Sequence, residues 1–164
     1  MIVNSLEEIK DKIFFAIIVG SGPAGLSTAI GLEKKKIECL IIEAGGINAD
    51  TKNEQYLKGK FVGDLDYETL SYSRGRQFGG TGNLWGGNCN PIQEKEFSDW
   101  PIVKKDLDPY TVDAKKILNL KNDFFLEKFS DNLNLFNLDW SDVKFGKKYY
   151  NYIKKSKYIN LSLN

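Results

Sequence analysis

The sequence predicts an α/β fold: a Rossmann-like domain built on a parallel central sheet. Three observations predict it. An apolar run ends in a glycine fingerprint at residues 20–25, a helix-length stretch leads on to a second apolar run, and that run ends in an acid, Glu43. In this order the parts form the βαβ unit, residues 14–43, that holds the ADP half of a dinucleotide.

Phe14, Phe15, Ala16, Ile17, Ile18 and Val19 are continuously apolar and partly β-branched, the pattern of a parallel strand buried on both faces. Gly20-Ser21-Gly22-Pro23-Ala24-Gly25 follows at once and satisfies G-x-G-x-x-G. Gly20 permits the tight turn out of the strand, Gly22 lets the backbone approach a pyrophosphate, and Gly25 lets the next helix pack closely. Pro23 suits the first helical turn, where a missing N–H costs nothing. The helix N-terminus offers N–H groups and a positive dipole end to phosphates. Leu26, Ala29, Ile30 and Leu32 continue a helix able to face a sheet, and Lys34, Lys35 and Lys36 end it where the dipole favours cations. Leu40-Ile41-Ile42 is a second buried strand. Glu43 stands at its carboxyl end, near the ~20-residue spacing at which an acid accepts hydrogen bonds from an adenosine ribose.

Beyond Glu43 the chain turns polar, with Gly45, Gly46, Asn48 and Asp50. This reads as an excursion over the surface that ends in a short strand near residues 67–72. Residues 73–90 then carry a second glycine cluster: Gly75, Gly79, Gly80, Gly82, Gly86 and Gly87, with Arg74, Arg76 and Trp85 among them. Such a segment can form an anion-binding nest from backbone N–H groups. Arg74 or Arg76 could pair with a phosphate bidentately, and Trp85 could lie near a ring system. A glycine-rich loop anchored by a tryptophan is the other reading of the same composition. The residues alone leave NAD and FAD both open.

Composition narrows the classes. With 164 residues, 41% of them hydrophobic and 27% charged, the chain is long enough for one domain with a real core. A net charge of +1 gives no strong field for nucleic acid or an anionic membrane. The absence of histidine removes the commonest metal ligand and the side chain best suited to proton transfer near neutral pH. Of the two cysteines, Cys39 falls in the second strand as a small hydrophobe, and Cys89 lies in a loop. Neither reads as a nucleophile, and no zinc site can be assembled. No apolar run reaches membrane-spanning length. The polar, acidic start differs from a signal peptide, which points to the cytoplasm.

Glu43-Ala44-Gly45, Arg76-x-x-Gly79-Gly80-Thr81 and Trp85-Gly86-Gly87 resemble the N-terminal part of the glucose–methanol–choline (GMC) flavoprotein oxidoreductases, nearest their sugar-oxidising, pyranose-oxidase-like branch. Asp99-Trp100-Pro101-Ile102, then Leu107-Asp108-Pro109-Tyr110 and Ala114, resemble that branch's connecting segment, where an aspartate-proline-tyrosine begins a helix. Phe145-Gly146 through Ile153, and Tyr158-Ile159-Asn160-Leu161, resemble the helix and strand that follow. The resemblance spans nearly the whole chain and is weakest over residues 119–144.

The resemblance implies FAD in an extended form. Gly20, Ser21, Gly22, Pro23, Ala24 and Gly25 would surround the pyrophosphate, and Glu43 would hold the ribose. Arg76, Gly79, Gly80, Thr81, Asn83, Leu84, Trp85 and Gly86 would belong to the flavin loop, beside the ribityl chain and the flavin. Some family members carry a histidine just before this tryptophan and bond it to the flavin. Leu84 stands there, which implies non-covalent FAD. The family oxidises CH–OH groups of alcohols or sugars by hydride transfer to flavin, with a histidine base late in a much longer chain. No catalytic residue of that kind is present. Residues 1–164 are therefore expected to be the N-terminal part of an incomplete FAD/NAD(P)-binding domain, with a helical connection over 104–156 and no substrate domain. Such a portion is expected to be inactive alone or completed by a C-terminal chain. The competing expectations are a non-catalytic dinucleotide-binding module and a degraded gene product.

Overall fold

β-branched and leucine-rich runs become the strands of one parallel sheet. In chain order these are β1 (Ile2–Val3), β2 (Ala16–Val19), β3 (Cys39–Glu43) and β8 (Ile159–Leu163), arranged β1-β8-β3-β2. The structure, a computed structural model, describes residues 1–3, 5–50, 52, 55–59, 62, 73–123, 126–130 and 133–164. The strand expected near residues 67–72 lies outside them.

Parallel register places Ile18, Ile41 and Leu161 in one row, and Ile17, Leu40 and Asn160 in the next. Successive rows face opposite sides of the sheet. On the first side lies α1 (Pro23–Lys34), which turns Leu26, Ala29 and Ile30 inward to full burial. Helix α4 (Phe145–Lys155) buries Phe145, Gly146, Tyr149 and Ile153, one stripe at helical spacing, and leads into β8. Ser156, just past its end, donates to the Glu33 carboxylate of α1. On the other side Leu40 packs with Val3 and with Ile9 of the turn Leu6–Ile9.

That second cover stops short of β2, and here the structure corrects the sequence. β2 is not buried on both faces. It is the edge strand, with Phe15, Ile17 and Val19 at 77%, 60% and 86% exposure. Its inner partner β3 is present, but among the described residues no strand pairs along its outer side.

Two compact units divide the chain: Met1–Trp85 with Lys144–Asn164, which holds the sheet, and Gly86–Val143. In the second unit β4 (Asn88–Cys89) pairs antiparallel with β7 (Asp139–Trp140), and β5 (Leu126–Ser130) with β6 (Leu133–Phe136). Cys89 thus sits in a strand rather than a loop, buried beneath its neighbours. The connection over 104–156 is helical only at its ends. α2 (Lys104–Leu107), a 3-10 turn at Asp108–Tyr110 and α3 (Thr111–Leu118) open it, β5, β6 and β7 occupy its middle, and α4 closes it. The aspartate-proline-tyrosine does not begin the helical run: it lies inside it, between α2 and α3, and the run starts at Lys104. Asp139 organises the middle: its carboxylate accepts from the N–H groups of Lys121 and Asn122, both at 2.9 Å. The Asn122 bond chiefly holds its carboxyl below the usual range. Among the described residues no helix is long and apolar enough to cross a membrane.

Burial contrasts within one sheet make a direct prediction. Ile41→Ala, at a fully buried central position, costs about 2–5 kcal/mol. Val19→Lys, on the exposed edge, stays within about 0.5 kcal/mol and raises solubility. Urea unfolding of both variants measures the contrast, and equal losses would contradict this description of the edge.

Candidate dinucleotide-binding site

The fingerprint forms the turn between β2 and α1, as its residue types require. Gly20 adopts φ 94°, a left-handed conformation that favours glycine, while its N–H still donates to Ile42 O at 2.8 Å and so extends the sheet. Pro23 is the first residue of α1, with Gly22 at its N-cap. A Cβ on Gly25 would stand 2.1 Å from Gly20 O and 3.2 Å from Ile18 Cγ2, so only glycine lets the helix lie this close to the turn. Gly22 differs. Its backbone is ordinary (φ −67°), and nothing lies within 4 Å of the Cβ it lacks. Pro23 and Ala24 are exposed on the first turn of the helix.

Glu43 ends β3 and is 7% exposed. Its Oε2 accepts from the Ser21 N–H at 2.9 Å and from the Ser21 hydroxyl at 2.6 Å, and its Oε1 accepts from the Gly45 N–H at 2.8 Å. The Ser21 hydroxyl in turn accepts from the Gly79 N–H at 3.0 Å. One carboxylate therefore ties the fingerprint turn, the strand end and the second glycine segment together.

The second segment comes to the first. Gly79 is left-handed (φ 91°), and a Cβ there would stand 2.2 Å from Gly146 N at the start of α4. A Cβ on Gly80 would lie 3.2 Å from Gly22 Cα, so the two glycine segments run backbone to backbone. Asn83 clamps this arrangement: it donates to Phe78 O and accepts from Gly146 N–H, both at 2.7 Å. Thr81 accepts from the Gly75 N–H at 3.2 Å. Arg76 donates from Nε to Ala44 O at 3.0 Å, and its guanidinium lies 4.3 Å from the centre of the Tyr56 ring. Leu84 is exposed, and Trp85 packs its ring 6.2 Å from that of Phe145. Gly86 begins the second unit. Thus Gly20, Ser21, Gly22, Pro23, Gly25, Glu43, Gly79, Gly80 and Asn83 form one connected region. Ala24 lies on its helix, and Arg76 and Thr81 anchor its flank.

Sequence reasoning missed the latch made by Ser21, because nothing in a G-x-G-x-x-G pattern marks the second position. It also missed a cavity of about 790 Å³ in the second unit, lined by Phe97, Leu107, Tyr110 and Leu118 among others. The charged residues there pair with each other, Lys104 with Asp108 at 2.6 Å and Lys115 with Asp123 at 2.5 Å. Among the described residues no group of His, Cys, Asp or Glu could hold a metal ion. Both thiols are free and buried, and burial pushes each of them up.

Residues 18–80 match the family model of the NAD(P)-binding Rossmann-like domain. No curated protein matches the chain. Among solved structures 13 chains match. One is a formate oxidase, 25% identical with a TM-score of 0.35, over 53% of this chain and 18% of that one. The matched portion is thus under a fifth of that protein's length. The fold is a Rossmann-like, dinucleotide-binding α/β fold.

Two predictions follow from this geometry. Gly25→Ala drives a methyl into Gly20 O and destabilises by about 1–3 kcal/mol, whereas Gly22→Ala leaves thermal unfolding unchanged; equal effects would contradict the packing. Cys39 and Cys89, buried and with their thiols pushed up, react with an aromatic disulfide reagent at neutral pH at least tenfold more slowly in the native than in the urea-unfolded chain.

Proposed function

We propose that this chain is the FAD-binding portion of an oxidoreductase that acts on CH–OH groups of alcohols or sugars, of the GMC kind. The observation that carries this reading is the meeting of the two glycine segments at Gly22 and Gly80 beside the Ser21–Glu43–Gly79 latch. A fingerprint alone serves NAD and FAD equally. A second glycine segment held against it suits a cofactor that extends past the pyrophosphate. The residues fit such a group: space is open at Gly22, and the first turn of α1 presents its N–H end there.

In this reading Gly20, Gly22, Gly25 and the start of α1 hold the pyrophosphate, and Glu43 takes the ribose. The segment from Gly79 to Gly86 borders the ribityl chain and flavin, with Arg76 and Asn83 fixing its course. Bound FAD supplies the hydride acceptor. Leu84, where some relatives of this kind place a histidine, leaves the flavin unattached. A complementing chain covers the outer edge of β2 and brings the base and the alcohol-binding groups, since this chain has no histidine.

The test is to purify the chain with its complement in the presence of FAD, then precipitate it with acid. Yellow protein that releases all its flavin to the supernatant is the expected outcome; flavin retained in the pellet would refute the non-covalent assignment. Gly22→Val keeps the unfolding transition of the parent and loses FAD. Normal binding by that variant would overturn the placement of the pyrophosphate. FAD bound without any alcohol oxidation would favour a non-catalytic binding module.

A further inference from the structure

We propose that Glu43 recognises one ribose hydroxyl and not two, because Ser21 occupies the carboxylate oxygen that a second hydroxyl would need. The inference rests on the dinucleotide reading above and narrows it. A carboxylate has about four acceptor positions, two on each oxygen. Oε2 uses both of its positions on Ser21, for the N–H at 2.9 Å and the hydroxyl at 2.6 Å. Oε1 gives one to the Gly45 N–H at 2.8 Å. A single position remains, on Oε1. A ribose offers two neighbouring hydroxyls, so one of them finds an acceptor on Glu43 and the other does not.

The Ser21 hydroxyl is held in this role from both sides. Its one proton goes to Glu43, while the Gly79 N–H donates to its oxygen at 3.0 Å. The residue is fully buried (0% exposed), and its neighbour Gly20 has the fixed left-handed backbone already described. Moving the Ser21 oxygen away from Glu43 would also take it from the Gly79 N–H and leave that donor without its acceptor, a loss that buried polar groups resist. Ser21 therefore acts as a positioning residue: it sets how many hydrogen bonds Glu43 has left to offer.

The experiment is calorimetric titration of the full chain with ADP, 2′-deoxy-ADP and 3′-deoxy-ADP. A hydrogen bond to a charged acceptor contributes enough that its loss weakens binding about tenfold or more. The expected result is that one deoxy analogue binds about tenfold or more weaker than ADP, while the other stays within about threefold. Ser21→Ala frees a position on Oε2, so the tolerated analogue now weakens as well and the gap between the two analogues closes. A merely structural role for Ser21 would weaken all three ligands alike and keep the gap. If ADP binds and the parent chain discriminates against both analogues equally, or against neither, the single-hydroxyl inference is overturned while the dinucleotide reading stands. If ADP itself fails to bind, that reading falls and the inference falls with it.

Discussion

The carboxylate of Glu43 is the point on which the rest of this site depends. A carboxylate at 7% exposure is costly unless its oxygens are satisfied. Here the satisfaction comes from three donors on two separate segments, the fingerprint turn and the turn after β3. Through the Ser21 hydroxyl the same network reaches Gly79, far along the chain. The Gly79 segment is also anchored by burial, through Phe78 at its side, whereas the fingerprint turn and the turn after β3 are mostly glycine, serine and alanine. Hydrogen bonds to one buried acid tie these turns together.

Close backbone approach is the second constraint, and it separates glycines that serve the fold from those that face outward. Gly25 lies against Gly20, Gly45 against the backbone of Arg76, Gly79 against Gly146, and Gly82 between Pro23 and Phe145. Each would clash with backbone or a packed ring if it carried a Cβ. Gly22 would meet nothing. A glycine with an ordinary φ and open space beside it has no reason within the fold to be glycine. In the proposed reading that open space at the N-cap of α1 is where the pyrophosphate approaches.

Much of this was legible in the sequence because it is local. The run 16–19, the helix begun by Pro23 and the strand ending in Glu43 follow from periodicity, capping and propensity within a few residues, and the helix and strand over 145–163 are what the family resemblance implies. What was not legible depends on distant partners. The residues of β2 read as buried on both faces, yet burial is decided by which strand and helix lie beside them. The strand at Cys89 is two residues long and exists because Trp140 and Asp139 pair with it. The antiparallel pair β5–β6 interrupts a connection that the family resemblance implied was helical. Ser21 was expected beside the pyrophosphate, and its hydroxyl acquires its role in the latch only when Glu43 and Gly79 are brought to it.

The edge position of β2 bears on how far the site can reach. In open parallel sheets, ligands bind at the carboxyl ends of strands, in the crevice where strand order reverses. Among the described residues, the order β1-β8-β3-β2 puts the fingerprint strand last, with one neighbour instead of two. The β3 side supplies Glu43, and hence the ribose side of a dinucleotide in the proposed reading. The other wall of a crevice would have to rise from the outer side of β2, where Ile17 and Val19 now face solvent. Those side chains are of the type that parallel sheets bury beneath helices. In the proposed reading a further parallel strand, with the helix that such a connection brings, lies along β2. That element would cover Ile17 and Val19 and close the site opposite Glu43 in a single step, so cofactor binding and sheet completion are expected to be thermodynamically linked.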